Sequence, residues 1–176
     1  SRCTVTVLKK QVTFVNKGNV SILNDVVSEY LSKTTAKDQY NFLKANTNTK
    51  SSDPENDNQG YLLNWDDDAS EEYRVILSNN EDLSAPLVDK VINVSEFNYG
   101  LYVPGETYYA LVTSEFNDSI IAQKFTINEN EVRFVNVPNA KNIRDFGGWS
   151  IGTDNINYKL LYRGGCLNGK GAGKLN

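Results

Sequence analysis

The chain has 176 residues, of which 39% are hydrophobic and 23% are charged, and its formal net charge is −4. That length accommodates one average domain of roughly 100–150 residues and a further segment, and the apolar content excludes a wholly disordered chain. The negative charge argues against non-specific nucleic-acid binding, which needs a cationic surface, and no apolar run approaches the roughly 20 residues of a membrane span.

Histidine and methionine are both absent. Without His, no Ser/His, Cys/His or His-ligated metal chemistry can lie wholly within these residues. Without Met at residue 1, we expect a processed or engineered start, with any signal peptide already removed. The two cysteines, Cys3 and Cys166, could form one disulfide or remain apart, and they are too few for a zinc site of four thiolates.

The N-terminal part combines strand and helix patterns. Thr4–Leu8 and Val12–Val15 alternate and are rich in β-branched residues, so both are predicted as short strands. Asn24 or Asp25 can cap a helix, and apolar residues at helical spacing follow. The pattern therefore predicts a helical insert over about residues 25–45, as one helix or as two short ones.

From residue 60 onwards, short alternating segments are separated by turn signals. The apolar residues that share one face of each segment are Tyr61, Leu63 and Trp65; Tyr73, Val75 and Leu77; Tyr108, Ala110 and Val112; and Ile121, Phe125 and Ile127. A period of two buries one strand face and exposes the other, and a single sheet would leave its apolar face in water. The spacing predicts a mainly β fold, with two sheets packed as a β-sandwich over residues 1–133.

Two short motifs in this part carry a resemblance. Asn64-Trp65 ends one strand, and Val103-Pro104-Gly105-Glu106-Thr107-Tyr108 forms a turn into a strand that opens with Tyr. Residues 58–128 thereby resemble a fibronectin type III-like sandwich of the immunoglobulin-like class, with Val12–Leu23 as a candidate first strand. The resemblance implies that Trp65 is a core residue and that the Tyr108 hydroxyl bonds the backbone at a corner. The helical insert departs from the ordinary family.

The C-terminal part carries the residues that could support chemistry. Asn142, Arg144 and Asp145 place an amide, a guanidinium and a carboxylate within four positions, and a Gly-Gly pair follows. Residues 156–162 predict a hairpin return or a strand, which would give a two-strand unit with Arg144, Asp145 and Arg163 near its ends. From the residues alone, a structural salt bridge in a turn is the favoured interpretation.

The pattern Asn-x-Arg-Asp-x-Gly-Gly, followed by Leu-Tyr-Arg-x-Gly, resembles the opening of the bacterial tyrosine-phosphatase-like family. The matching positions are Asn142, Arg144, Asp145, Gly147, Gly148, Tyr162, Arg163 and Gly165. The resemblance covers residues 134–176 and implies the first strands of an α/β cysteine-phosphatase domain that is incomplete here. It makes Asn142, Arg144, Asp145 and Arg163 candidate supporting residues of a phosphate site.

The family implies a thiolate nucleophile in a loop of the form His-Cys-x-x-Gly-x-x-Arg, whose backbone N–H groups and Arg hold the phosphoryl group. An Asp elsewhere acts as the general acid. The loop is missing here, because Gly165 precedes Cys166 and Ala172 stands where Arg is needed. The overlapping stretch 164–170 resembles a nucleotide P-loop, but Gly171 replaces the Ser or Thr that such a loop requires. We therefore expect no catalytic residue, cofactor or metal in this chain.

Two functions of different classes remain open. The first is the inactive amino-terminal part of a protein-tyrosine or dual-specificity phosphatase that acts on a phosphorylated protein, with the sandwich positioning the catalytic domain or recruiting substrate. The second is a stand-alone extracellular binding or adhesion module, in which Tyr99, Tyr102, Tyr108 and Tyr109 form an aromatic contact surface or fill the core. Modules of this class commonly occur outside cells, so we expect a secreted or cell-surface protein, with the cytoplasm as the alternative.

Overall fold

The chain folds mainly into β-strands, and a computed structural model describes residues 12–46, 60–66, 69–129, 131–135 and 143–164. The strands up to residue 129 are β1 (Val15–Val20), β2 (Leu62–Asn64), β3 (Tyr73–Ser78), β4 (Val88–Ile92), β5 (Glu96–Asn98), β6 (Thr107–Ser114) and β7 (Ile121–Ile127). Five of them form one sheet with the order β1-β7-β6-β3-β4, and β2 pairs with β5. All these pairs are antiparallel except β1–β7, which is parallel.

The C-terminal segment adds four strands of two residues each, β8 (Arg144–Asp145), β9 (Ser150–Ile151), β10 (Asp154–Asn155) and β11 (Tyr162–Arg163). β8 pairs with β11, and β9 pairs with β10, both in antiparallel fashion. Of the two alternatives predicted for residues 156–162, a hairpin return or a strand, the structure shows a return, because pairing with β8 involves Tyr162 and Arg163. The turn lies at Tyr158 and Lys159, and the chain then enters β11.

The first described strand lies within the candidate range Val12–Leu23 but later than the short strand predicted over Val12–Val15. Val12–Val15 alternates like a strand, but β1 begins only at Val15, where pairing with Gln123 of β7 starts. The Phe14 ring packs edge-to-face on Tyr109 at 5.3 Å between ring centroids, so its apolar character reflects packing rather than sheet pairing. The predicted strand Thr4–Leu8 lies outside the described residues.

The predicted helical insert is confirmed as two short helices, α1 (Asp25–Ser32) and α2 (Ala36–Asn46). Asn24 is the N-cap of α1, because its side-chain oxygen accepts from the Val27 N–H at 2.8 Å. The Thr35 hydroxyl oxygen accepts from the Asp38 N–H at 3.1 Å at the start of α2. The chain therefore breaks between the helices, where Lys33 is extended and Thr35 begins a new cap.

One hydrophobic cluster joins the five-stranded sheet to the β2–β5 pair. Its buried members are Ile22, Leu63, Tyr73, Val75, Leu77, Phe97, Tyr102, Tyr108, Ala110, Val112, Ile121, Phe125 and Ile127. The predicted inward-facing residues of β3, β6 and β7 are thus confirmed as buried, whereas β6 does not alternate, because Tyr109 and Leu111 are buried as well. Leu63 of β2 is buried, and Trp65, directly after β2, is half-buried with its ring edge-on to Tyr73 at 5.4 Å. Trp65 therefore packs at the margin of the core.

Two buried tyrosines beside this core differ in what their hydroxyl groups bind. The Tyr108 hydroxyl accepts from the Val103 N–H at 2.9 Å and donates to the Glu106 carboxylate at 2.9 Å. The Tyr102 hydroxyl is buried and has no hydrogen-bond partner among the described residues. Burial raises the pKa of both phenols above the ordinary value of 10.0. Both side chains are therefore neutral at physiological pH. Among the described residues, the Tyr108 hydroxyl forms hydrogen bonds and the Tyr102 hydroxyl does not.

This difference predicts opposite effects of the same substitution. Tyr108→Phe should lower the free energy of unfolding by about 1–3 kcal/mol, because the buried Val103 N–H loses its acceptor. Tyr102→Phe should leave the stability unchanged or raise it, because it removes a buried group that is unpaired among the described residues. Urea denaturation followed by far-UV circular dichroism measures both variants. Equal losses in the two would contradict the assignment of the corner hydrogen bond to Tyr108.

Candidate functional site

The described motif residues of the C-terminal segment meet in one small unit. Arg144 of β8 lies directly opposite Arg163 of β11, and Asp145 lies opposite Tyr162. The structure thus brings Arg144, Asp145 and Arg163 together, as the predicted two-strand unit requires. Asn142 lies outside the described residues, as do Cys3, Cys166, Gly165 and Ala172.

Asp145 is the buried centre of this unit, and its side chain has an exposed fraction of 0%. One carboxylate oxygen accepts from the Gly147 N–H at 2.9 Å. The other accepts from the Lys159 N–H at 2.9 Å and from Arg133 Nη1 at 2.8 Å. A carboxylate that is buried and held by three donors cannot reach a substrate, so Asp145 organises the loop around it.

Arg133, which the sequence analysis did not single out, is the charged partner of Asp145. Its side chain is 5% exposed, and its remaining donors reach backbone carbonyls of the loop that precedes β6. Arg133 Nε donates to the Tyr102 carbonyl at 2.9 Å, and Nη2 donates to the Leu101 carbonyl at 3.1 Å. The ion pair that Asp145 forms is therefore not the predicted one within the turn, because its partner is Arg133, on the neighbouring segment that also accepts a hydrogen bond from the Asp145 N–H at 2.8 Å.

The Gly-Gly pair of the motif lies against Tyr158. A Cβ atom at Gly147 would overlap the Tyr158 ring and come within 2.5 Å of its Cα, and a Cβ at Gly148 would meet the Tyr158 hydroxyl. Gly148 also has a φ of +81°, which favours glycine. The Tyr158 hydroxyl donates to the Glu131 carbonyl at 3.2 Å. Burial, followed by the charge of Asp145, raises the pKa of Tyr158.

The two arginines of the ladder are exposed. The Arg144 guanidinium lies over the Phe134 ring at 5.0 Å from its centroid, which is a cation–π distance. Arg163 is its direct cross-strand neighbour, and like charges in that position repel one another. An oxyanion placed between them would relieve that repulsion and accept charge-assisted hydrogen bonds from both. The two side chains therefore place positive charge on neighbouring strands, and residues 143–164 contain no thiol.

The same unit exposes large apolar side chains and buries polar ones. Among residues 143–164 the exposed ones are Trp149, Ile151, Leu160, Leu161 and Tyr162, with exposed fractions from 45% to 71%. The buried positions of this segment are Asp145 and Gly147. A complete domain normally buries its large apolar side chains. Exposed apolar groups such as these normally mark a surface that packs against another element or molecule.

A separate groove lies on the sheet face that carries Arg74 and Ile76. It has a volume of about 850 Å³ and is also lined by Val12, by residues 81–86 and by Asp89. Arg74 and Asp89 form a bidentate pair there, with both distances at 2.8 Å. No motif residue lines this groove, so it belongs to a different part of the molecule.

The four tyrosines proposed as an aromatic contact surface do not form one. Tyr102, Tyr108 and Tyr109 are buried, and Tyr99 is half-buried with its ring edge-on to Tyr102 at 5.2 Å. Their placement matches the core-filling interpretation.

A scan against protein-family models gives no match, and searches of curated proteins and of solved structures find none either. Among the residues that the structure describes, no helix is long and apolar enough to span a bilayer. In the same ranges, no group of three or more His, Cys, Asp or Glu side chains could hold a metal ion.

Proposed function

We propose that this chain is the amino-terminal part of a cysteine-dependent phosphatase of the bacterial tyrosine-phosphatase-like kind. A β-sandwich precedes the first strands of the catalytic domain, and the nucleophilic thiolate lies further along the natural protein. The observation that carries the proposal is the pairing of the two halves of the motif. Arg144 and Arg163 lie opposite one another across the β8–β11 ladder, beside the buried Asp145.

The incomplete apolar packing of the motif unit, which comprises residues 143–164, supports the proposal. Trp149, Leu160 and Leu161 are exposed, although such side chains belong in a core. A catalytic domain that continues past Asn176 would cover them with its own helices and strands. A binding partner could also cover them, and the experiment below distinguishes the two occupants.

A fibronectin type III-like identity for the preceding part is the finer proposal on the fold. The five-stranded sheet and the β2–β5 pair share one core, as the two sheets of a sandwich do. The Tyr108 hydroxyl bonds the Val103 N–H just upstream, which is the geometry of a tyrosine corner in such domains. These features favour an immunoglobulin-like arrangement with a helical insert between β1 and β2.

In the proposed enzyme the exposed arginine pair holds phosphoryl oxygens, and the thiolate attacks phosphorus while the ester oxygen leaves with a proton from a general acid. Water then hydrolyses the phosphocysteine. Asp145 is not that general acid, because its carboxylate is buried and engaged by Arg133 and two backbone N–H groups. A phosphorylated protein outside the cell or at its surface is the proposed substrate.

The test compares this 176-residue chain with the natural gene product extended beyond Asn176, using p-nitrophenyl phosphate. We expect activity in the extended protein alone, and its loss when the downstream Cys is replaced by Ser. Arg163→Gln in the extended protein should lower kcat/KM by about 10–150-fold, because hydrogen bonds to charged groups are worth about 1.5–3 kcal/mol.

Arg74→Gln serves as the matched control, since it removes an arginine from an exposed ion pair with Asp89 on the sheet. It should leave kcat/KM within twofold. A gene that ends at Asn176, or an extension without a His-Cys-x-x-Gly-x-x-Arg loop, would overturn the proposal. A stand-alone binding module, whose apolar surface a partner covers, would then be the better explanation.

A further inference from the structure

Backbone hydrogen bonds from the Asp145 N–H to the Arg133 carbonyl and from the Val135 N–H to the Ile143 carbonyl join the motif unit to the segment before it. Three side-chain contacts add to them. Arg133 joins Asp145 to the loop carbonyls of Leu101 and Tyr102. The Tyr158 hydroxyl reaches the Glu131 carbonyl at 3.2 Å. The Lys159 ammonium lies 3.1 Å from the carboxylate of Glu106, at an exposed position. Of the three, the Arg133 contact alone is buried on both sides, so removal of its guanidinium would leave the Asp145 carboxylate buried without its charged partner.

The acceptors of these contacts are themselves fixed within the sandwich. The carboxylate of Glu106 also accepts from the Tyr108 hydroxyl at 2.9 Å, which ties it to the corner before β6. The Glu131 side chain accepts from the Ile22 N–H at 2.8 Å and from the Asn128 side chain at 2.9 Å. The motif unit therefore rests on a rigid part of the fold, where the ends of β1 and β7 meet.

The chemistry of the site requires arginine at position 133. Its guanidinium reaches three oxygen acceptors on different residues, at 2.8 to 3.1 Å. A planar fork with five N–H groups can do so, whereas a lysine ammonium is a single point of charge. Lys at this position could keep the ion pair with Asp145 but would leave carbonyls of the loop without a donor.

Asp145, which pairs with Arg133, also holds the backbone of the motif unit through hydrogen bonds. Its oxygens accept from the N–H groups of Gly147 and Lys159. Lys159 has a φ of +69°, an uncommon backbone for a residue with a side chain. Such strained conformations persist where the surrounding contacts hold them in place. The hydrogen bond from the Lys159 N–H to Asp145 is one of those contacts.

We infer that Arg133, which lies outside the matched motif, is the positioning residue for the motif unit, and that the sandwich acts as a rigid brace for the site rather than as a tethered recruiter. The consequence for catalysis rests on the proposed function, because it concerns the phosphate site that Arg144 and Arg163 would form. The consequence for the backbone does not, and it can be measured in the 176-residue chain alone.

The experiment is residue-resolved amide hydrogen exchange by NMR on the 176-residue chain carrying Arg133→Met. We expect exchange at Gly147 and Lys159 to accelerate at least tenfold, while core amides such as Val75 and Ala110 change by less than threefold. Arg133→Lys should give an intermediate acceleration, since it retains the charge. Arg74→Met is the matched control and should change none of these amides, because its ion pair with Asp89 is exposed.

Unchanged exchange at Gly147 and Lys159 would overturn the inference. Parallel acceleration of all amides would overturn it as well, because Arg133 would then stabilise the whole fold without positioning the motif in particular. Where Arg133→Met does not fold, Arg133→Lys supplies the same comparison of motif and core amides.

Activity distinguishes this inference from the proposed function. In an active extended protein, Arg133→Met should lower kcat at least tenfold with KM within threefold, and Arg133→Lys should recover part of kcat. An unchanged kcat would overturn the catalytic part of the inference. An extended protein without phosphatase activity, combined with the expected exchange pattern, would refute the proposed function and leave the bracing role of Arg133 standing.

Discussion

Phe125→Ala is expected to lower the free energy of unfolding by about 3–5 kcal/mol, the usual cost of removing a buried aromatic ring. Phe125 has an exposed fraction of 0% and lies at the centre of a group of rings. Its centroid is 4.5 Å from that of Tyr61, 5.8 Å from that of Tyr102 and 5.9 Å from that of Tyr108. None of these neighbours can collapse into the space without leaving its own contacts, so a cavity would remain.

Guanidinium or urea denaturation followed by circular dichroism measures this loss. The control is Phe116→Ala in the loop between β6 and β7, where the side chain is 68% exposed. That substitution should change the stability by less than about 0.5 kcal/mol. A loss below about 1 kcal/mol at Phe125 would mean that the two sheets do not share the core described above.

Gly147→Ala is expected to cost about 3 kcal/mol, at the upper end for overpacking, and to displace Tyr158. The added methyl group would overlap the Tyr158 ring and its backbone, and backbone atoms yield less readily than the end of a flexible side chain. Since Tyr158 precedes Lys159, the displacement should also weaken the hydrogen bond from the Lys159 N–H to Asp145.

Gly164→Ala provides the matched comparison within the same segment. A Cβ there would lie 3.8 Å from Ile143, an ordinary van der Waals distance, and the backbone has no positive φ. Thermal denaturation and proton–nitrogen NMR spectra of the two variants should differ sharply. Large shifts around Tyr158 are expected for Gly147→Ala and almost none for Gly164→Ala. Similar spectra for both variants would show that the contact between Gly147 and Tyr158 is not formed.

The alternating strands were predictable because burial imposes a period of two on them. Tyr73, Val75 and Leu77 face the core, and the residues between them do not, so the pattern is visible without a structure. The helical insert was predictable for a similar reason, through a capping residue and helical spacing. Whether it formed one helix or two depended on the weak stretch around Lys33, and the structure resolves that choice.

Edge strands of the described five-stranded sheet show no comparable alternation of apolar and polar residues. β4 is an edge strand in the described sheet, and its three central residues are exposed, so its sequence does not alternate. β5 has only three residues and is recognisable through its pairing with β2. The displaced start of β1 has the same cause, because an edge strand is defined by what it pairs with rather than by its own residues.

The sequence motif indicated residues of the candidate site, but it did not indicate Arg133, the partner of Asp145. Arg144, Asp145 and Arg163 formed a recognisable pattern. Arg133 is a single arginine without a motif, and its three acceptors belong to residues 12 to 32 positions away along the chain. Its importance arises from burial, which only the folded chain creates. The signal that could have indicated it is weak: one arginine directly before a phenylalanine and valine pair, ahead of the motif.

The parallel pairing of β1 with β7 has a consequence for the order of folding and for the shortest chain worth expressing. Val15 pairs with Gln123, so the first described strand cannot add to the sheet until almost all of the five-stranded sheet has been synthesised. Contacts between such distant positions slow folding. A shortened protein that starts after the helices would leave one edge of β7 unpaired and would leave a cavity at the core position of Ile22. Unpaired strand edges promote association between molecules.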